Sequence, residues 1–232
     1  MKFLKFIKNI ILVCILIVIM VCGTVVYKGY KMYSNAISEK SVQEMVSEIQ
    51  EKESYTTIEE LPEIYIQAVL AVEDRRFYSH SGIDIISIAR AIKNDIVAGE
   101  FVEGGSTITQ QLAKNVYFTQ AKKLERKIAE VFMAFQIEKE CDKDKILELY
   151  LNTSYFGEGC YTVYDASKRY FDKEPNEMTV EESTMLAGIP NAPSVYAPTV
   201  NPDLAKQRQR QVLDKMVEYG IITIEEAKEI MN

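Results

Sequence analysis

A chain of 232 residues with a formal net charge of −7 has room for one membrane-length segment and one domain of about 170–180 residues, enough for a sizeable core. The acidic balance excludes nonspecific nucleic-acid binding, which needs a cationic surface. Of four cysteines, Cys14 and Cys22 lie in an apolar run, and Cys141 and Cys160 alone make no disulfide framework.

Lys2, Lys5 and Lys8 precede a charge-free run of nineteen residues, Asn9 to Tyr27, and Lys28 and Lys31 follow it. A helix of that length matches the hydrocarbon thickness of a bilayer. The lysines ahead of it predict a cytoplasmic tail over 1–8, a transmembrane signal-anchor over 9–27 and a domain on the outer side. A cleaved signal peptide would have a shorter apolar region and a small-x-small site, and Val21 is too bulky before Cys22 for lipoprotein processing. Residues 28–60 are polar and acidic and predict a helical or partly ordered stalk, with the domain over 61–232.

From Leu61 onward the pattern is helical. Ile64, Ala68 and Val72 repeat at helical spacing, and the helix they predict ends on Glu73-Asp74, ahead of Arg75, Arg76 and Phe77. A carboxylate held against apolar neighbours has its charged form disfavoured and suits general-base work; the bland alternative is a solvated helix end with a surface ion pair. Gly104-Gly105-Ser106-Thr107 opens a helix through about Tyr117. On it Thr107, Gln110, Gln111 and Lys114 make one polar stripe, while Ile108 and Leu112 lie on another side. Arg126 and Lys127 stand four and three residues before Glu130 and share its face, as a ligand-binding cluster or a salt-bridge ladder. Between Gly104 and Glu130 the basic residues Lys114, Lys122, Lys123, Arg126 and Lys127 outnumber Glu125 and Glu130, a local net of +3 that suits an anionic substrate.

Thr179 to Glu182 and Thr223 to Glu226 are capping-box patterns, Asn201-Pro202 starts a helix and Gly220 closes it. The fold class is all-α. His80, the one histidine, has no ligand cluster in sequence and reads as a structural hydrogen-bonder, with Asp74 fixing the loop through Arg75 or Arg76.

The stretch Glu-Asp-Arg-Arg-Phe-Tyr-Ser-His-Ser-Gly-Ile-Asp, Glu73 to Asp84, resembles the first motif of the peptidoglycan glycosyltransferases. The resemblance continues through Gly104 to Asn115, Arg126 to Glu130, Lys145 to Asn152 and Tyr155-Phe156-Gly157, in the family's order over about residues 55–230. It points to the monofunctional members, since no transpeptidase domain follows. It implies a lysozyme-like fold and polymerisation of lipid II at the outer face of the membrane, with inversion and release of undecaprenyl pyrophosphate. Glu73 would be the general base and Glu130 the second glutamate. Arg75, Arg76, Ser106, Thr107, Gln110, Gln111, Lys114, Asn115, Arg126 and Lys127 would bind substrate, with Lys114 on the pyrophosphate. No cofactor is required, though the resemblance admits a divalent cation (Mg²⁺ or Mn²⁺) assisting pyrophosphate departure. Expected partners are lipid II, the growing glycan strand, membrane lipid, cell-wall synthesis proteins and a moenomycin-type inhibitor.

In the family, the segment over 85–101 lies near the lipid, so its isoleucines read either as core or as membrane contact. Thr162, Asp165, Ser167 and Asp172 depart from the family pattern, which puts packing behind the cleft in question. Two rivals stand beside this reading: a lytic, glycan-cleaving enzyme on the same kind of fold, and an inactive membrane-anchored scaffold.

Overall fold

The computed structural model describes residues 2–99, 104–118 and 124–231. Its first element, α1 (Lys2–Glu39), is one unbroken helix of 38 residues. It contains no proline, so nothing interrupts its hydrogen-bond ladder between the apolar run and the domain. From Phe6 to Glu39 it is long and apolar enough to cross a membrane, and the apolar run itself packs against nothing else in the chain.

Residues 28–60 do not form a stalk. Ser41 caps α2 (Val42–Gln50) through a capping box with Glu44, and the α2 residues Val42, Met45 and Ile49 are buried in the core. Spaced three and four apart on one helical face, these apolar side chains could not be left in water without cost, each contributing roughly 2 kcal/mol on burial. The packed unit therefore begins well before residue 61.

Ten helices follow, interleaved with short 3₁₀ turns and, among the described residues, with no strand: α3 (Glu63–Glu73), α4 (Ile85–Ala98), α5 (Ile108–Tyr117), α6 (Leu124–Glu140), α7 (Lys143–Leu151), α8 (Val163–Phe171), α9 (Val180–Gly188), α10 (Pro193–Tyr196), α11 (Pro202–Glu218) and α12 (Ile224–Ile230). The all-α expectation holds. Two trios make most of the body. α3, α9 and α11 pack on one another, as do α5, α6 and α7, while α1 lies along α6. Tyr65 and Ala68 of α3 and Leu186 and Val212 of α9 and α11 are fully buried; so are Ile108 and Leu112 of α5, Met133 and Ile137 of α6 and Ile146 and Leu147 of α7.

The predicted punctuation is present. Thr179 and Thr223 cap α9 and α12 through capping boxes, and Gly220 sits at φ +69° just past α11. Asn201 precedes Pro202 at the start of α11, but its side chain makes no capping bond. The departures from the family pattern have local uses. Thr162 caps α8 by accepting from Asp165 N–H, Ser167 Oγ donates to the Lys173 carbonyl at 2.9 Å, and Asp172 closes α8 at φ +57°. All four cysteines are free thiols.

Within the stretch Ile85 to Phe101, helix α4 contributes little to the core. On α4 only Ala91 is buried, while Ile85, Ile96 and Val97 are 71%, 75% and 80% exposed; Phe101 lies outside the described residues.

Candidate active site

α3 stops at Glu73 because Asp74 leaves helical angles and turns its carboxylate inward. There it accepts the N–H of Ile108, the first residue of α5, at 3.1 Å, and His80 Nε2 lies 3.0 Å from both its oxygens. Thr107 caps α5 and donates its hydroxyl to the Gly82 carbonyl at 2.7 Å. The end of α3 and the start of α5 are thus bolted together, and Glu73 is held opposite Gln111, whose amide donates to its Oε2 at 2.7 Å.

Asp74 does not act through the arginines, as the sequence reading had it. Arg76 pairs instead with Asp84, Nε to Oδ2 3.0 Å, and Asp84 caps α4 by accepting from Ile86 and Ser87 N–H. The expectation that no cluster accompanies His80 also needs correction: Asp74, His80 and Asp84 bring ligand-type atoms within 4.8 Å of one another. Both carboxylates are answered from within the chain, since His80 Nε2 serves Asp74 and Arg76 neutralises Asp84. The set fits a scaffold better than an ion.

Glu73 lies between two cavities. One, of about 400 Å³, is walled by Gln111 and Lys114 of α5 and by Arg126, Lys127 and Glu130 of α6. The other, of about 410 Å³, is walled by Arg75, Arg90, Arg208, Lys215 and Tyr219. Val72, Glu73, Gly104, Ser106 and Asn191 border both. The two carboxylates singled out in the sequence therefore converge on one cavity with a cationic wall.

Glu130 is 2% exposed, and a buried carboxylate needs its charge answered. Arg126 Nε lies 2.9 Å from one oxygen and Lys127 Nζ 3.0 Å from the other; Lys127 also donates to Ser106 Oγ at 2.6 Å. Lys114 differs from both. Among the described residues it makes no ion pair or hydrogen bond through its ammonium, and burial pushes its pKa below the ordinary lysine value against the pull of Glu130 and Glu73. A half-desolvated cation facing open space is a ready partner for an anion.

The other predicted residues sort differently. Gln110 is 2% exposed, and its Oε1 accepts the Thr107 N–H in the capping box, so Thr107 and Gln110 build the helix start rather than offer free polar groups. Arg75 borders the second cavity, its guanidinium 4.2 Å above the Tyr219 ring. Arg76 is spent on Asp84 and borders neither cavity, and Asn115 is exposed and borders neither. Lys122 and Lys123 lie outside the described residues. Sequence reasoning missed Asn191, Arg90 and the α11 side chains Arg208, Gln211 and Lys215. The last three recur at i, i+3 and i+7, a polar stripe like that of α5 and detectable by the same test.

The chain is 46% identical over 194 residues to penicillin-binding protein 1F of Bacillus subtilis, covering 84% of this chain and 27% of that protein. It is 45% identical over 183 residues to penicillin-binding protein 1A of Neisseria cinerea, covering 79% and 23%. Among solved structures, penicillin-binding protein 1A from Haemophilus influenzae aligns with a TM-score of 0.44 at 22% identity, over 77% of this chain and 17% of that one. The chain thus spans about a quarter of the length of the curated relatives it matches. The profile of the family described as Transglycosylase matches residues 39–217, most of the chain, and the chain belongs to that family.

Proposed function

We propose that this chain is a membrane-anchored peptidoglycan glycosyltransferase that polymerises lipid II into β-1,4-linked glycan. The observation that carries the proposal is Glu73, placed between two cavities that each have a cationic wall. Two substrates that both carry a pyrophosphate need such an arrangement, with a base where they meet. In this reading Glu73 takes the proton from the 4-hydroxyl of the acceptor sugar. The freed oxygen attacks the anomeric carbon of the donor, the bond from that carbon to the phosphate oxygen breaks, and the configuration inverts. Undecaprenyl pyrophosphate departs with the electron pair.

Lys114, with Arg126 and Lys127, stabilises the charge that builds on the leaving pyrophosphate. Lys114 has the least local compensation, so its interaction strengthens most as that charge develops. Gln111 orients Glu73. Glu130 holds Arg126 and Lys127 in place, and Ser106 and Gly104 let the substrate approach the backbone. The acceptor sits on the side of Arg75, Arg90, Arg208 and Lys215. No general acid is needed, because a neutralised pyrophosphate leaves readily. This separates the proposal from a lytic enzyme, which must protonate a poor leaving group; both oxygens of Glu130 are engaged by Arg126 and Lys127. A divalent cation (Mg²⁺ or Mn²⁺) would be an accessory, and activity should survive chelation in part.

The helix α1 would anchor the chain with its N-terminus cytoplasmic and the cleft outside, and the exposed isoleucines of α4 would dip into the lipid surface. The test is turnover of lipid II by the purified chain. Polymer formation, blocked by moenomycin, with no cleavage of finished glycan is expected. Cleavage of finished glycan, or no polymer under any lipid condition, would sink the proposal.

A further inference from the structure

α1 leaves its apolar run at Tyr27 and meets the domain two residues later, at Gly29, which is buried. A Cβ on Gly29 would lie 2.6 Å from both Cβ and Cγ2 of Ile128 and 2.8 Å from the Glu125 carbonyl oxygen. Glycine is therefore what allows the two helices to approach this closely. From there the contacts climb both helices in the same direction. Lys28 Nζ is 3.9 Å from Glu125, Tyr30 packs edge-on against Phe132 with ring centres 5.3 Å apart, and Tyr33 donates its hydroxyl to Gln136 at 3.3 Å. α1 and α6 run parallel, and the start of α6 is its end nearer the apolar run.

Arg126 and Lys127 sit in the first turn of α6, and Glu130 is one turn further on. The register places the two cations level with residues 28–29, within roughly 3 Å of where the apolar run ends, at two residues of helical rise. That is the level at which the phosphates of a lipid-linked sugar emerge from a bilayer. Because α1 is continuous from Lys2 to Glu39, the depth of its apolar run is transmitted to α6 without a hinge.

On the glycosyltransferase reading, we infer that residues 28–37 of α1 are a positioning element that sets the height of the Arg126–Lys127–Glu130 wall above the membrane. The phosphates of a membrane-held substrate then meet these cations while its polyprenyl tail stays in the bilayer. Gly29 is the contact that permits this register.

The test is a polar, helix-forming insert of seven residues between Tyr27 and Lys28. It raises the docked segment by about 10 Å and rotates it by only about 20°, leaving the contacts with α6 intact. Full-length wild type and variant are compared in lipid vesicles on long-chain lipid II, and in solution on an analogue with a short, water-soluble prenyl chain. The variant should lose at least about tenfold in rate on the long-chain substrate and stay within about twofold on the short one, with unchanged Tm. Equal rates for variant and wild type on both substrates, or an equal loss on both, overturns the inference alone. A wild type inactive on both overturns the glycosyltransferase reading, and the inference with it.

Discussion

α5 and α7 carry stretches that read alike as motifs, yet their polar residues have opposite fates. On α7 they are consumed. Asn152, fully buried at the end of that helix, donates to the Thr56 and Glu148 carbonyls at 2.8 Å and accepts the Thr56 N–H at 2.9 Å. Glu148 accepts from Ile58 N–H at 2.9 Å and from the side chains of Tyr55 and Lys145. The motif of α7 is a clamp on residues 55–58. On α5, Gln111 and Lys114 keep polar atoms turned toward the cavity. A polar side chain that has found its full set of partners holds a fold, whereas one left short of partners is available to a ligand.

The largest expected effect lies on the cleft side of this comparison. Glu73→Gln removes the proposed base while leaving its shape, so lipid II turnover should fall by roughly 10³-fold, within the usual span for a general base, with Tm nearly unchanged. Full activity in a polymerisation assay would end the base assignment and remove the contrast with α7.

Next comes the clamp. Asn152→Ala leaves the Thr56 N–H and carbonyl unanswered in a buried site and should cost about 2–4 kcal/mol in denaturant unfolding. Turnover per folded molecule should change little. The clamp also has a pH signature. Burial alone would raise the Glu148 carboxyl, but hydrogen bonds from Lys145, Tyr55 and Ile58 hold its pKa below the ordinary glutamate value. A depressed carboxylate contributes stability above its unfolded pKa and loses it as pH falls through the folded one. Wild type should therefore lose part of its margin in mild acid, and Glu148→Gln should flatten that slope.

This division shows what a sequence can disclose. Helical periodicity exposed α3, α5 and the shared face of Arg126, Lys127 and Glu130, because apolar spacing and charge pairing are local. It could not reveal that Gln110 is taken by its own helix cap while neighbouring Gln111 reaches across to Glu73 at the cavity, since a capping residue and a cleft residue look the same one position apart. Nor could it reveal that the polar stretch after Lys28 docks on α6. Met32, Tyr33, Ala36 and Ile37 recur there at helical spacing and pack on the core, but they continue an apolar membrane-length run and so do not mark a separate face, and the fit depends on Gly29 meeting Ile128, a contact ninety-nine positions away. Arg208 and Lys215 escaped notice because a distant helix brings them to the site.

Lys114 offers a pH test of the cleft side. Its pKa is lowered by burial, so it loses its proton, and its hold on a phosphate, at a pH below that of an ordinary lysine. The alkaline limb of kcat/KM should reflect this. Lys114→Arg, charged throughout, should move that limb upward while lowering the maximum rate by up to about tenfold, since a planar fork replaces a compact ammonium. An alkaline limb unmoved by the substitution would assign it to another group.

The smallest effect is the sharpest test of the comparison, because it sets two adjacent glutamines against each other. Gln110 acts in the capping box, where Glu serves as well as Gln. Gln110→Glu should therefore keep Tm within a few degrees and turnover within about twofold, even though the residue borders the cavity. Gln111→Glu makes the same chemical change one residue on, but it sets a second carboxylate against Glu73, across a contact of 2.7 Å in the wild type. Like charges at that distance force one group to hold a proton, so the pH optimum should shift and turnover at neutral pH should fall by well over about tenfold. Equal damage from both substitutions would mean that Gln110 meets substrate directly, and that α5 presents three of its striped residues to the ligand rather than two.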